Sequence, residues 1–254
     1  MQVQKRDGQL EDLDIDKLHK VVMYAVEGIT GVSASEVEIN SHIQFFDKIS
    51  STDIQETLIK SAADLISEES PNYQYVGGRL INYHLRKEVY GTFTPPCLCD
   101  IIQKNIDIGF YDAEFTELYT KDEINQLQEY IDHARDEYLT YAAMEQFRGK
   151  YLVQNRATGE IFETPQVAYI MIAATLFSKY PAGTRMKYVK AYYDAISTFK
   201  ISLPTPVMAG VRTPQRQFSS CVLIETDDSL DSINATSSAV VKYVSQKAGI
   251  GIGA

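Results

Sequence analysis

The sequence has few cysteines, and they are not spaced for the commonest cysteine chemistry. Only three of its 254 residues are cysteine, at positions 97, 99 and 221, which is too few for a disulfide framework. One residue separates Cys97 from Cys99, whereas the usual redox or zinc motif has two between its cysteines. We therefore expect no metal site in the chain and a reducing cytosol as its setting.

Basic residues and long apolar runs are also scarce. There are 24 Lys and Arg against 34 Asp and Glu, for a net charge of −10. This balance disfavours a general nucleic-acid or anionic-membrane binder, although a local basic cluster can still hold phosphates. No apolar run approaches the roughly 18 residues of a membrane span, and no secretory signal opens the sequence. We expect a cytoplasmic protein (in the host cytoplasm if phage-encoded), with neither nucleic acid nor membrane as partner.

The first 90 residues are predicted to form a module of ~90 residues, a small hairpin on four helices. The dipeptide Asp7-Gly8 is typical of a tight hairpin turn. Helix starts are predicted from capping patterns at Asp14, at Ser33 with Glu36, at Thr52 with Gln55, and at Ser70-Pro71.

The next hundred residues are predicted to be largely helical. A helix covers 97–108, and a Thr120–Glu123 capping box opens a long helix that reaches Tyr138. Residues 151–163 form a predicted hairpin around Ala-Thr-Gly. Thr164-Pro165 starts an apolar helix, and a last helix covers 184–198.

The stretch 201–233 combines proline, a thiol and a polar run. Its three prolines forbid a continuous helix, and 218–224 is a predicted strand that carries Cys221. Ser229 or Ser232 is the candidate cap of the helix that follows. A thiol on a strand beside a helix N-terminus is a plausible nucleotide site in an α/β fold. On residue type alone, however, such a cysteine is more often a small core residue.

Longer segments carry a family resemblance. The segments SLPTPVMAGVRTPQRQFSSCVLIE, TDDSLDSI and KYVSQKAGIGIG closely resemble the opening of the catalytic barrel in large subunits of class Ia ribonucleotide reductase. YLVQNRATGEIFETPQ and QVQKRDG extend the resemblance over nearly the whole chain. It implies a mainly α fold with small β elements (α+β): a regulatory ATP-cone at 1–90, a helical domain at 91–200, and the start of a truncated ten-stranded α/β barrel at 201–254.

The resemblance also implies an activity and its partners. Family members reduce ribonucleotides to deoxyribonucleotides through a cysteine thiyl radical, which a separate di-iron small subunit generates. The expected partners are the C-terminal remainder of the large subunit, a second large subunit, the small subunit, and thioredoxin or glutaredoxin as reductant. The radical cysteine and the redox partner of Cys221 would lie downstream, so this chain is expected to be an incomplete fragment, inactive alone.

Site residues follow from the resemblance by position. Cys221 matches a redox-active thiol, and Thr205 and Ser220 match positions that, with Cys221, contact substrate. An allosteric specificity site for dNTP or ATP is implied at Asp228, Ser229 and Leu230. An activity site for ATP or dATP is implied at Lys5, Arg6, Glu11, Asp12, Leu13, Asp14, Ile15, Asp16, Lys17, Ser51 and Lys87.

Two positions in the implied activity site depart from the family pattern. Ser51 stands where threonine is expected and keeps the hydroxyl. Gln55 stands where histidine is expected, and without a titratable ring it is expected to weaken or alter inhibition by dATP.

Two alternatives stay open from the sequence. The first is a non-catalytic nucleotide-sensing module, such as a stand-alone ATP-cone protein. The family-like sequence beyond Tyr90 and the lack of a zinc ribbon argue against it. The ending GIGIGA (249–254) would be a dinucleotide loop if it followed a strand and opened a helix, but it follows a predicted helix.

Overall fold

A computed structural model describes residues 1–6, 8–42, 45–246 and 248–253. Asp7 of the predicted turn and Ala254 of the glycine-rich ending lie outside the described residues. The described chain is mainly helical with small strands, which confirms the predicted fold class. Among the described helices, none is long and apolar enough to cross a membrane.

The described elements are short strands and helices. The strands are β1 (Gln2–Gln4), β2 (Leu10–Asp12), β3 (Ile49–Ser50), β4 (Cys221–Glu225) and β5 (Gly249–Gly253). The α-helices are α1 (Ile15–Val26), α2 (Ala34–His42), α3 (Ser51–Asp64), α4 (Tyr73–Tyr90), α5 (Leu98–Asp107), α6 (Glu114–Leu118), α7 (Lys121–Tyr130), α8 (Tyr141–Gln146), α9 (Pro165–Phe177), α10 (Ala182–Ser197), α11 (Thr205–Gly210) and α12 (Leu230–Ser245). A 3₁₀ helix covers His133–Tyr138 and a π-helical turn covers Phe147–Tyr151.

The chain divides into two compact units. The first unit consists of Met1–Pro96, Asp132–Gly149 and Asn155–Gln166. The second unit consists of Cys97–Ile131, Lys150–Gln154 and Val167–Ala254. The division at 90 and 200 made from sequence stays a prediction.

Several predicted helix starts are confirmed by their caps. The Asp14 carboxylate accepts from the Lys17 N–H at 3.1 Å, and the Ser229 hydroxyl accepts from the Ser232 N–H at 3.2 Å. At α7 the capping box is complete: Glu123 accepts from the Thr120 N–H at 2.9 Å, while its own N–H donates to the Thr120 hydroxyl at 3.3 Å. Each cap satisfies a backbone donor that the first turn leaves unpaired.

Other caps were predicted at the wrong residue. The Thr52–Gln55 box is wrong, because Ser50, the last residue of β3, is extended and accepts from the Asp53 N–H at 2.9 Å. The Ser70-Pro71 start is wrong as well, since α4 begins at Tyr73, where Asn72 precedes it without a side-chain cap.

The Ser33–Glu36 capping box is only half formed. The Ser33 hydroxyl accepts from the Glu36 N–H at 3.4 Å. The Glu36 carboxylate instead accepts from the Tyr73 hydroxyl, so a tertiary contact has displaced the local one.

Three element predictions also need correction. The long helix ends at Tyr130 rather than Tyr138, because Asp132 caps a new 3₁₀ turn by accepting from the Ala134 N–H at 3.1 Å. The predicted hairpin at 151–163 is shorter than expected: Gln154 and Ile161 are β-bridge residues on either side of a tight turn, in which the Asn155 N–H donates to the Glu160 carbonyl at 2.8 Å. The strand predicted at 218–224 lies at Cys221–Glu225.

Among the described residues, the strands form one small sheet in each unit. In the first, β1 pairs antiparallel with β2 and parallel with β3, with Val3 opposite Ile49. In the second, β4 and β5 are parallel with Cys221 opposite Gly249, and α12 connects them. Gly249–Gly253 is therefore a strand, and the dinucleotide-loop alternative is wrong.

The core of the first unit is centred on α4. Val76, Leu80 and Ile81 of this helix are fully buried. A Cβ atom on Gly78 would lie 2.0 Å from the Leu139 carbonyl oxygen. Only glycine therefore allows α4 to approach the backbone before α8 this closely.

Candidate nucleotide-binding site

The sheet of the first unit brings distant parts of the chain to one edge. β1 and β3 are parallel, with Gln4 opposite Ser50. The residues that follow these partners, Lys5 and Ser51, therefore leave the sheet in the same direction. Ser51 is also the first residue of α3, so the hairpin faces the start of a helix and its unpaired N–H groups.

A pocket of about 640 Å³ opens at this edge of the sheet. Its walls come from the hairpin, α1, the start of α3 and the end of α4. Five cationic side chains line it, against three carboxylates: Lys5, Arg6, Lys17, Lys20 and Lys87, and Glu11, Asp12 and Asp14. In a chain of net charge −10, this is a local cationic surface of the kind that phosphate groups require.

Two contacts hold the hairpin cations in place. The Arg6 guanidinium donates to the Lys87 carbonyl at 2.9 Å, which ties the hairpin to the last turn of α4. The Lys5 ammonium lies 3.5 Å from the Glu11 carboxylate across the hairpin. Neither contact uses all the donors of its cation, so both side chains can still donate to an anion.

The first turn of α1 forms another wall. Its cap Asp14 accepts the Lys17 N–H, and this bond holds the pKa of the Asp14 carboxyl below its usual value. The Lys17 ammonium lies 3.4 Å from the same carboxylate. Asp14 therefore stays ionised and keeps Lys17 near the pocket mouth.

Aromatic and apolar side chains line the remaining part of the pocket. The Tyr24 and Tyr83 ring centroids lie 6.2 Å apart, and the Lys87 ammonium lies 4.4 Å from the Tyr83 centroid. Burial raises the pKa of Tyr24 to about 12, so its hydroxyl stays protonated. Val3, Leu13, Leu18, Val21 and Ile54 complete this apolar lining. A planar base fits such a surface, while the cations suit a phosphate chain.

Gln55 adds an unpaired polar atom to the pocket lining. Its Oε1 is buried and has no hydrogen-bond partner among the described residues. A buried acceptor without a donor is costly, and a ligand N–H or O–H group would satisfy it.

Most residues predicted for the activity site meet in this pocket. Nine of the eleven line it: Lys5, Arg6, Glu11, Asp12, Leu13, Asp14, Lys17, Ser51 and Lys87. The other two, Ile15 and Asp16, are exposed on α1 and are not among its lining residues. Sequence reasoning missed Lys20, Tyr24 and Tyr83, although Lys20 lies one helical turn after Lys17 and so shares its side of α1.

The predicted redox and substrate residues lie in the second unit. Cys221 is a free, exposed cysteine at the first position of β4, and its Sγ donates to the Ser220 hydroxyl at 4.0 Å. Thr205 is exposed at the first position of α11. Ser220 and Cys221 are thus adjacent, while Thr205 belongs to a separate element.

The predicted specificity residues lie where β4 leads into α12. Asp228, Ser229 and Leu230 are exposed, and Ser229 is the N-cap of α12. The Asp227 N–H donates to the Ser232 hydroxyl at 2.8 Å, which fixes this turn. The geometry is a strand followed by a capped helix start, with a carboxylate beside it.

Comparison with known proteins finds two family models that match separate segments of the chain. Residues 1–88 match the ATP cone domain, and residues 137–216 match the ribonucleotide reductase all-alpha domain. The chain is 61% identical to ribonucleoside-diphosphate reductase 1 subunit alpha of Escherichia coli K12 over 252 residues, which is 99% of this chain and 33% of that protein.

Two further relatives show the same coverage. The alpha subunit of Haemophilus influenzae is 59% identical over 254 residues, all of this chain and 34% of that protein. The alpha subunit of Enterobacteria phage T4 is 45% identical over 248 residues, 98% of this chain and 33% of that protein. The chain thus spans about a third of the length of the curated relatives it matches.

Proposed function

Because the chain is homologous to the N-terminal third of ribonucleoside-diphosphate reductase alpha subunits, we propose that it provides the effector-binding part of such a subunit and the beginning of its catalytic part. The observation that carries the proposal is the cationic pocket of the first unit, whose lining residues, except Gly91, all lie within the 88 residues that match the ATP cone domain.

The pocket is proposed to bind ATP or dATP with its phosphates on the hairpin cations. Lys5, Arg6 and Lys87 neutralise the phosphate charge, and the start of α3 at Ser51 offers a hydroxyl and backbone N–H groups. The base lies against the apolar and aromatic lining. Gln55 Oε1 accepts a hydrogen bond from the nucleotide and thereby gains the donor that it lacks. No metal ligand is needed for this binding mode.

Calorimetry on the full 254-residue chain tests the effector proposal. ATP and dATP should each bind, and Lys87→Ala should weaken binding by about tenfold to a hundredfold, because a hydrogen bond to a charged group is lost. Lys60→Ala is the matched control, since Lys60 is an exposed lysine on α3 that does not line this pocket. Absence of binding heat with either nucleotide on folded protein would refute the proposal.

The second unit is proposed to begin the catalytic part. Cys221 acts as one thiol of a redox pair that reduces the substrate and ends as a disulfide. Thr205 and Ser220 hold the substrate through hydroxyl and backbone groups. Asp228, Ser229 and Leu230 begin the site at which a dNTP or ATP selects the base to be reduced, with the start of α12 offering N–H groups to phosphate.

Turnover is proposed to need further protein. The relatives are about three times as long as this chain, so the proposed partners are the remainder of the large subunit, a second large subunit, a di-iron small subunit, and thioredoxin or glutaredoxin. The three free cysteines favour a reducing, cytoplasmic setting. Reduction of a ribonucleoside diphosphate should appear only when the remainder and the small subunit are added, and turnover without the remainder would contradict this.

A further inference from the structure

The start of α5 brings together three side chains that the proposed function does not use. Cys97 is the N-cap residue of this helix, and Cys99 and Asp100 lie in its first turn. The Sγ atoms of both cysteines and a carboxylate oxygen of Asp100 all lie within 4.8 Å of one another. The sequence expectation of no metal site considered only the usual CxxC spacing; a helix start folds a CxCD segment so that its three ligand atoms converge.

The backbone of this turn is fixed by bonds that involve none of the three ligand atoms. The Cys97 carbonyl accepts from the N–H groups of Asp100 and Ile101, at 3.0 and 3.2 Å. The Leu98 N–H donates to the Gln128 side chain at 2.9 Å, and the Leu98 side chain is fully buried. The cluster is therefore held in shape without any ion, which lowers the entropic cost of binding one.

The donor set suits a thiophilic divalent cation. Two thiolates and one carboxylate are all ligands of zinc, whose bonds to sulfur are about 2.3 Å long. Two sulfurs on one tetrahedral zinc lie about 3.8 Å apart, which small side-chain rotations can reach from the present spacing. The cysteines are half-buried and Asp100 is exposed, so water can supply a fourth ligand.

The three ligand atoms already lie in contact without an ion. Cys99 Sγ donates to Asp100 Oδ1 at 3.7 Å. Binding of a divalent cation would replace this contact and would release the thiol protons.

We propose that Cys97, Cys99 and Asp100 form a binding site for a thiophilic divalent cation of the zinc class, separate from the nucleotide pocket. The carboxylate distinguishes this site from a simple dithiol. A disulfide between the two cysteines would need an oxidant and would gain nothing from Asp100.

The experiment uses the full chain, reduced and stripped of metal, with Cd²⁺ as an optical probe. A thiolate-to-metal absorption band should grow and saturate at one Cd²⁺ per chain, with release of protons, and Zn²⁺ should displace the Cd²⁺. Two of the three thiols should then be protected from a thiol reagent. Cys221→Ser is the control variant, because it should keep the band and lose only the unprotected thiol.

Single substitutions separate the site from its alternatives. Cys97→Ser and Cys99→Ser should each abolish saturable binding while circular dichroism and thermal unfolding stay unchanged, since both residues are partly exposed. Asp100→Asn should keep the band but weaken Cd²⁺ binding by at least about tenfold, as expected for a direct ligand.

Three results would overturn the proposal. The first is a full band in the Cys97→Ser/Cys99→Ser double variant, and the second is an unchanged affinity in Asp100→Asn. The third is equal reactivity of the thiols with and without metal in reduced, folded protein. This result would overturn the proposal even if Cys97 and Cys99 form a disulfide on exposure to air.

Discussion

The nucleotide pocket and the strand that carries Cys221 differ in how much of their surroundings this chain supplies. Around the pocket, Val3 and Ile54 are buried, and the hairpin, α1, α3 and α4 close it. Around β4, apolar side chains face solvent: Leu223 is 81% exposed, Val241 on α12 is 70% exposed and Ile252 on β5 is 58% exposed. Exposed apolar side chains of this size normally mark surfaces that another part of a protein covers.

In the proposed function, this difference separates a regulatory part from the beginning of a catalytic part. The pocket draws all its walls from within residues 1–91, so the proposed effector binding would need only this part of the chain. The Cys221 region is a two-stranded parallel sheet with one connecting helix, and parallel sheets are normally covered on both faces. Since the relatives are three times as long, the proposed function attributes this cover to the remainder of a large subunit.

The largest expected effect tests the catalytic half of this comparison. In a reconstituted complex, Cys221→Ser should lower dithiol-dependent turnover by at least about a thousandfold, because no disulfide can then form. Because Cys221 is exposed, thermal unfolding and ATP binding should stay unchanged.

The control for this variant is Ser237→Ala, in which an exposed hydroxyl that bonds only to its own helix is removed. It should retain turnover. Retained turnover in Cys221→Ser would end the redox assignment, and a drop in stability without loss of activity per folded molecule would mark Cys221 as structural.

The second test concerns the closed core of the first unit. Leu80→Ala should reduce the free energy of unfolding by about 4 kcal/mol, because it leaves a cavity beneath a fully buried leucine of α4. Urea unfolding followed by circular dichroism measures the change. A loss below about 1 kcal/mol would mean that this core is loosely packed, and the contrast with the second unit would fail.

The third test uses pH, because the half-buried His133 of the first unit has a lowered pKa. Burial, and then the nearby Arg86, lower the pKa of His133 from 6.5 to about 4, while Asp132 opposes the shift. Between these values the unfolded chain binds a proton that the folded chain does not. The free energy of unfolding should therefore fall by about 3 kcal/mol as the pH drops from 6.5 to 4. His133→Gln should remove that share of the decline.

Asp136 provides the matched variant of opposite sign. Burial raises its pKa from 3.8 to about 6, even though the Arg86 guanidinium lies 3.2 Å away. Here the folded chain binds the extra proton, so the contribution of Asp136 to the free energy of unfolding falls as the pH rises from 3.8 to 6. In Asp136→Asn, the free energy of unfolding should therefore fall more steeply as the pH is lowered from 6 to 4. If it changes equally with pH in His133→Gln, Asp136→Asn and the parent protein, the shifted pKa values of His133 and Asp136 are contradicted.

The smallest expected effect is at Leu223, the exposed counterpart of Leu80. In this chain Leu223→Ala should change the free energy of unfolding by no more than about 0.5 kcal/mol, since its side chain is already in water. In the reconstituted complex the same substitution should weaken assembly. An equal, negligible effect in both settings would show that the remainder does not cover β4.

Local chemistry explains which parts of the fold were predictable. Asp14, Thr120 and Ser229 lie directly before their helices, and their caps depend on residues three positions away. Glu36 was misassigned because its partner is Tyr73, 37 positions along the chain. The end of α7 was missed because the apolar spacing continues past Tyr130, although Asp132 turns the backbone there.

The cationic residues of the candidate pocket could be predicted from the sequence, but its aromatic residues could not. Lys5, Arg6 and Lys17 were expected from the family resemblance, and they do meet. Tyr24 and Tyr83 carry no local signal of a pocket, because only the packing of α1 against α4 brings them together. The convergence of Cys97, Cys99 and Asp100 was hidden for a similar reason: a spacing rule does not include the fold of a helix start.

The parallel pairing of β1 with β3 determines when the pocket can form during synthesis. Val3 leaves the ribosome early, but its partner Ile49 follows 46 residues later. The hydrogen bond from Arg6 to the Lys87 carbonyl can form only after the end of α4 has emerged. The first strand must therefore remain unpaired on that side while about half of its ninety-residue region is translated. A nascent chain could acquire the proposed effector binding only after roughly its first ninety residues are clear of the exit tunnel.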